Sequence, residues 1–172
     1  ARAQFAMVPM NILQPGKRVA HVVTGTWSQM AFDEAKRLYP EAAYCVASAE
    51  SSAFQQPAST LEPIQSNTQY LSFTPNETIH GNRYEPSAEY NNVPWVADMT
   101  SCILSEPIDI QKYGLIFAGA QKNLANAGMT LVIVKKSWLL ESPMNVLPTM
   151  FEVGVKVPFN LITSSAEFGS NR

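Results

Sequence analysis

Apolar residues recur along this chain in short, nearly continuous runs rather than in strict alternation. Residues 18–23, 42–47, 70–73, 93–97, 115–118 and 130–134 are each bounded by polar or turn-forming residues. Runs of this length predict strands buried on both faces. After the first of them, Trp27, Met30, Ala31, Ala35 and Leu38 fall at helical spacing. Thr26 or Ser28 is the expected N-cap, Asp33 and Glu34 come early, Lys36 and Arg37 late, and Pro40 is the stop, so a helix is predicted there. Residues 1–13 predict a helix kinked at Pro9, 101–104 a single helical turn and 137–140 a short helix. Residues 48–67, rich in Ser, Gln and Pro without a period, predict a surface excursion, and 74–81 a polar loop. Continuous strands separated by helices and loops predict an α/β domain, a three-layer α/β/α arrangement around a mostly parallel sheet.

Composition narrows the class. A chain of 172 residues is long enough for one sizeable core. No apolar run approaches the roughly 20 residues of a membrane-spanning helix. With 12 basic and 14 acidic residues the net charge is -2, and neither sign clusters, so nothing advertises nucleic acid or anionic lipid as a partner. Cys45 and Cys102 lack CxxC or Cys/His spacing, which indicates neither a zinc site nor a disulfide framework and fits a cytoplasmic or organelle-stroma setting. The first residues already read as mid-domain, so the sequence is expected to be a piece of a longer chain. Residues 1–150 are expected to form the domain, and 151–172 a divergent tail whose polar end resembles a linker or an appended scar.

Candidate chemistry gathers at strand ends. In open α/β sheets, ligands bind beyond the carboxyl ends of the strands. Trp27, Thr78, Asp98 and Lys122 each follow a different predicted strand, so a parallel sheet lets all four face one crevice. Lys122 lies in a small-residue loop beside Gly119 and Ala120. A poorly solvated, accessible amine there is a nucleophile toward carbonyls; an ordinary loop lysine is the other reading. The set fits one cofactor, pyridoxal phosphate. A lysine amine condenses with its aldehyde, an aspartate keeps the pyridine nitrogen protonated, and an indole stacks on the ring. The N-terminus of the first helix and the Gln121 side chain offer donors to the phosphate. Taken singly, each has a plainer explanation: Trp27 as packing, Asp98 as a turn former, Thr78 as a local hydrogen-bonder. His80 reads as a loop histidine and His21 as a satisfied structural one.

The segment VADMTSCILSEPIDIQKYGLIFAGAQKNLANAGMTLVIV, together with ARAQFAMVPMNIL, TGTWS followed by EAKR, and TPNETIHG, resembles the phosphoserine aminotransferase family. That family belongs to the class V branch of fold-type I pyridoxal-phosphate enzymes, and the likeness runs from Ala1 to about Met150. It implies that the chain is the central part of a fold-type I large domain. Lys122 would carry the cofactor aldehyde as an imine and shuttle the substrate proton. Asp98 would pair with the pyridine nitrogen, Trp27 would stack on the ring and Thr78 would hydrogen-bond the cofactor. Ala1, Arg2 and Gln121 would surround the phosphate, with Arg2 also within reach of a substrate phosphate. The implied reaction moves an amino group between glutamate and 3-phosphohydroxypyruvate, giving phosphoserine and 2-oxoglutarate, in a homodimer serving serine and pyridoxine biosynthesis. The loop KNLANAG departs from the family's usual KNIGPAG, and residues 151–172 do not follow its pattern. Another class V enzyme, either a different aminotransferase or a sulfur-transferring lyase, and an inactive folded module remain the alternatives.

Overall fold

The computed structural model describes residues 2–140. Helix α1 (Gln4–Ile12) leads into strand β1 (Arg18–Val23), helix α2 (Thr26–Leu38) and strand β2 (Ala43–Ser48). Then come β3 (Ser59–Thr60), β4 (Thr68–Phe73), and a small hairpin of β5 (Asn76–Glu77) with β6 (Asn82–Arg83). Strands β7 (Trp95–Asp98), β8 (Tyr113–Gly119) and β9 (Thr130–Val134) and helix α3 (Lys136–Leu140) complete the described chain. Among the described residues no helix is long and apolar enough to cross a membrane.

Seven strands form one sheet in the order β3-β2-β1-β4-β7-β8-β9. The inner strands β2, β1, β4, β7 and β8 pair in parallel, and both edge strands pair antiparallel. The chain winds outward from β1 in one direction and resumes on its other side at β4. The order therefore reverses between β1 and β4, the place where open α/β sheets form a ligand crevice.

Each face of the sheet has its own core. On one, Val19, Ala43, Tyr70, Val96, Leu115 and Phe117 pack against Phe5, Val8 and Ile12 of α1 and Ala35 of α2. On the other, Val22, Val46, Leu71, Phe73, Trp95 and Ile116 pack against Tyr90, Val93, Met99 and Ile103. The helices of the described residues cover the first face, and irregular segments with short 3-10 turns cover the second. Trp95 anchors that second face, lying edge-on to Phe73 at 5.8 Å and to Tyr113 at 5.5 Å.

Several expectations change in detail. Neither Thr26 nor Ser28 caps α2; the N-cap is Gly25. Residues 101–104 form turns rather than helix, closed by Ile103 N–H to Met99 O at 2.9 Å, with Leu104 in the left-handed region at φ 63°. Strand β9 is a half-buried edge with Ile133 39% exposed, not a buried strand. The loop 120–129 that joins it to β8 holds no crossover helix, and a parallel return would need one. The polar loop 74–81 contains β5, and the excursion 48–67 contains β3 and a 3-10 turn at Glu50–Ser52. Residues 151–172, read as a divergent tail, lie outside the described residues.

Candidate functional site

A cavity of about 430 Å³ opens at the carboxyl ends of β1, β4, β7 and β8, within the size range of small-molecule sites. Its lining includes Arg2, Trp27, Thr78, Asp98, Gln121 and Lys122. Thus six of the sequence-predicted site residues share one wall, contributed by the segments after four neighbouring strands and the turn before α1. Ala1, the seventh, lies outside the described residues.

Asp98 ends β7, beside Phe117 of β8, so strand register alone sends its carboxylate into the crevice. Both of its hydrogen bonds fall on Oδ1, from Thr100 N–H at 3.0 Å and Thr100 Oγ1 at 2.5 Å. The same Thr100 hydroxyl accepts from Gly119 N–H at 3.1 Å and so ties the end of β8 to the turn after β7. Burial pushes the Asp98 carboxyl above the ordinary carboxylate range, an effect opposed by the two Thr100 bonds and reinforced by the charge of Glu77. Neither ion pair of the described residues includes Asp98, and Oδ2 takes neither of the Thr100 bonds. Such a desolvated carboxylate suits a cationic N–H donor on a flat ring.

Trp27, in the first turn of α2, is half-buried and points its indole Nε1–H at Thr78 Oγ1, 3.2 Å away. Asn76 and Ser101, also on the cavity wall, exchange two bonds: Asn76 Nδ2 donates to Ser101 Oγ at 2.8 Å, and that hydroxyl donates to Asn76 O at 2.9 Å. These contacts fix the β5–β6 hairpin to the turn after β7. Asn76, Thr100 and Ser101 were not singled out in the sequence. Polar residues two or three positions past the ends of β4 and β7 are the signal that points to them.

Lys122 departs from its expected environment. It is exposed, as are Gln121 and Arg2, because the loop 120–129 extends past the sheet while Ala120 turns inward and is fully buried. Ala120 O accepts from Ala125 N–H at 2.8 Å and Asn123 Nδ2 donates to Ile103 O at 2.5 Å, so the loop is anchored on either side of the lysine. Poor solvation is therefore not what marks this amine among the described residues. Its place on the cavity rim is.

Of the two histidines, His21 departs from its expected role and His80 lies in a turn as expected. His21 is buried but not satisfied: its Nε2 has no hydrogen-bond partner among the described residues, and its ring lies 5.3 Å from that of Phe32. Burial lowers its pKa from 6.5 to about 3. His80 lies half-buried outside the cavity lining, its Nε2 2.9 Å from Thr26 Oγ1 and its ring 4.7 Å from Phe54. The residue most clearly missed is Glu77. It is fully buried, and its carboxylate accepts from Trp27 N–H at 3.0 Å, Ser28 N–H at 2.7 Å and Ser28 Oγ at 2.6 Å.

A mostly parallel sheet brings a carboxylate, an indole and an amine to one cavity, and the class-V aminotransferase family profile matches residues 1–156. The chain belongs to that family. It is 53% identical over 151 residues to a phosphoserine aminotransferase of Legionella pneumophila strain Corby, covering 87% of this chain and 41% of the relative. The phosphoserine aminotransferase structure from Bacillus circulans subsp. alkalophilus superposes with a TM-score of 0.78 at 40% identity, over 88% of this chain and 41% of that one. A pyridoxal-phosphate-bound phosphoserine aminotransferase from Trichomonas vaginalis gives a TM-score of 0.71 at 36% identity, over 88% of this chain and 45% of that one. The chain thus spans less than half the length of these relatives.

Proposed function

We propose that this chain is the cofactor-holding part of a pyridoxal-phosphate-dependent aminotransferase. The whole protein would exchange an amino group between phosphoserine with 2-oxoglutarate and 3-phosphohydroxypyruvate with glutamate, in serine biosynthesis. The observation that carries this reading is the convergence of Trp27, Thr78, Asp98 and Lys122 on one cavity. The substrate pair is supported by the relatives, each described as a phosphoserine aminotransferase.

Bound pyridoxal phosphate would supply an aldehyde and an electron-withdrawing ring. Asp98 would accept a hydrogen bond from the ring nitrogen on Oδ2 and hold the proton there, with Thr100 fixing the carboxylate through Oδ1. The Trp27 indole would give the ring a flat apolar platform, and Thr78 a hydroxyl at its edge. Arg2, in the turn that precedes α1, would face the phosphate at the N-terminal end of that helix. Lys122 Nζ would act as the nucleophile toward the aldehyde and, once displaced by substrate, as the base that moves the α-proton. We further infer a homodimer in the whole protein, working in a reducing cytoplasmic setting. Exposed Lys122 and Gln121 at the cavity rim, with Met129 65% exposed in the same loop, leave a surface that a second subunit could cover.

The test is covalent trapping. After incubation with pyridoxal phosphate and borohydride reduction, peptide mass spectrometry is expected to find the cofactor on Lys122, and Lys122→Ala to carry none. Modification spread over the exposed lysines in both proteins would overturn the reading.

A further inference from the structure

Glu77 is 0% exposed, yet neither ion pair of the described residues includes it. Its oxygens are divided between consecutive residues of one helix turn: Oε2 takes Trp27 N–H, and Oε1 takes both Ser28 N–H and the Ser28 hydroxyl. These N–H groups belong to the first turn of α2, where the helix dipole favours a negative charge. Capping alone does not require this arrangement. A serine or aspartate at the N-cap would satisfy the same donors locally. Here the cap comes from a side chain 50 residues further along the chain, and the N-cap itself is Gly25, where a Cβ would lie 2.5 Å from Glu77 Cδ.

What this long-range cap achieves is visible in its neighbours. Thr78 follows Glu77 directly in the chain, and Trp27 is bonded to Glu77 through its backbone. Both line the cavity, and they meet again through the indole Nε1–H to Thr78 Oγ1 bond at 3.2 Å. One carboxylate therefore joins the helix that presents the indole to the hairpin that presents the hydroxyl. Other bonds also hold these segments, from Asn82 Nδ2 to Thr24 O at 3.0 Å and between His80 Nε2 and Thr26 Oγ1 at 2.9 Å, but among the described residues only Glu77 binds the backbone N–H of Trp27 itself.

We propose that Glu77 is a positioning residue that sets the spacing between the Trp27 indole and the Thr78 hydroxyl, and through it the seat of the ring held in the cavity. The identity of that ring as pyridoxal phosphate rests on the function proposed above; the spacing role does not. Glu77→Gln keeps the shape but turns an acceptor into an N–H group facing Trp27 N–H. In the cofactor-free 172-residue chain, the Trp27 indole Nε1–H, assigned by its loss in Trp27→Phe, is expected to exchange with solvent about tenfold faster in Glu77→Gln. The Trp95 indole, bonded to Tyr90 O at 3.2 Å on the other face, should be unchanged. Glu77→Asp preserves the charge at the helix terminus but shortens the arm, and is expected to loosen the same indole should the amide variant not fold. Unchanged protection of the Trp27 indole in a folded variant would overturn the proposal whether or not any cofactor binds.

With pyridoxal phosphate added, Glu77→Gln is expected to weaken binding about tenfold when Trp27 is present and less than about twofold in a Trp27→Phe background. Equal losses in both backgrounds would assign Glu77 a purely structural part and overturn the positioning role. Absence of binding by the unmodified chain, with the indole result intact, would remove the cofactor reading and leave the spacing role standing.

Discussion

Acid should destabilise this protein through His21. The ring is 4% exposed, packed against Phe32, with Nε2 unpartnered among the described residues, and burial lowers its pKa from 6.5 to about 3. Between those values the unfolded chain binds a proton at His21 and the native chain does not, so stability rises with pH across the window and is lost as pH falls through it. At pH 5, about 1.5 units below the unfolded value, the loss is about 2 kcal/mol at about 1.4 kcal/mol per unit. Asp98, bordering the same small gap, acts oppositely. Its raised pKa means the native state takes up a proton first, so its contribution is greatest at low pH and declines as pH rises through the folded value. The difference between wild type and His21→Leu isolates the histidine, because Leu is similar in size and carries no titrating group. Urea denaturation at pH 7 and pH 5, with m-values shown to match, measures it. At pH 7 the variant is expected to equal or exceed wild type, since it removes an unsatisfied buried nitrogen. At pH 5 its advantage should grow by about 2 kcal/mol. Parallel pH curves for the two proteins would refute the assignment of acid sensitivity to His21.

Three further outcomes follow from the site. Gly25→Ala is expected to cost about 1–3 kcal/mol, because its Cβ would meet Glu77 at 2.5 Å in a contact that neither buried side nor backbone can easily relieve; thermal melting checks it. The cause is steric alone, since a φ of 179° is open to any residue. Thr100→Val removes a hydroxyl that serves both Asp98 and Gly119 N–H, and should lower urea stability by about 1–3 kcal/mol. Asp98→Asn takes a desolvated charge out of the cavity, so the cofactor-free chain should melt at a higher temperature while pyridoxal phosphate binding weakens; melting scans with and without the cofactor read both effects.

What could be read from the sequence is what the backbone dictates. Every parallel strand announces itself as an apolar run, and a residue just past such a run must lie at the carboxyl end of the sheet. That rule is enough to bring Trp27, Thr78, Asp98 and Lys122 onto one cavity without knowing any side-chain contact. The edge strands were less legible. Strand β3 has only two residues, too few for a hydrophobic pattern, and β9 looks like a buried strand because its one exposed position still carries an apolar residue, Ile133.

The remainder depended on pairings that no local pattern encodes. Glu77 reads in the sequence as one polar residue in a polar loop, and its burial exists only because β4 delivers it opposite the first turn of α2, with Gly25 leaving the space. His21 reads as an ordinary inward position of β1, and its orphaned nitrogen follows from which residues α2 lays over it. Lys122 makes the converse case. Small neighbours suggest a poorly solvated yet accessible amine, but Ala120 is 0% exposed and Lys122, two positions on, is exposed. Position along a strand thus predicts where a side chain starts, whereas solvation depends on what arrives from elsewhere in the chain. For that reason the groups that could touch a ligand were predictable from this sequence, and the groups that hold them in place were not.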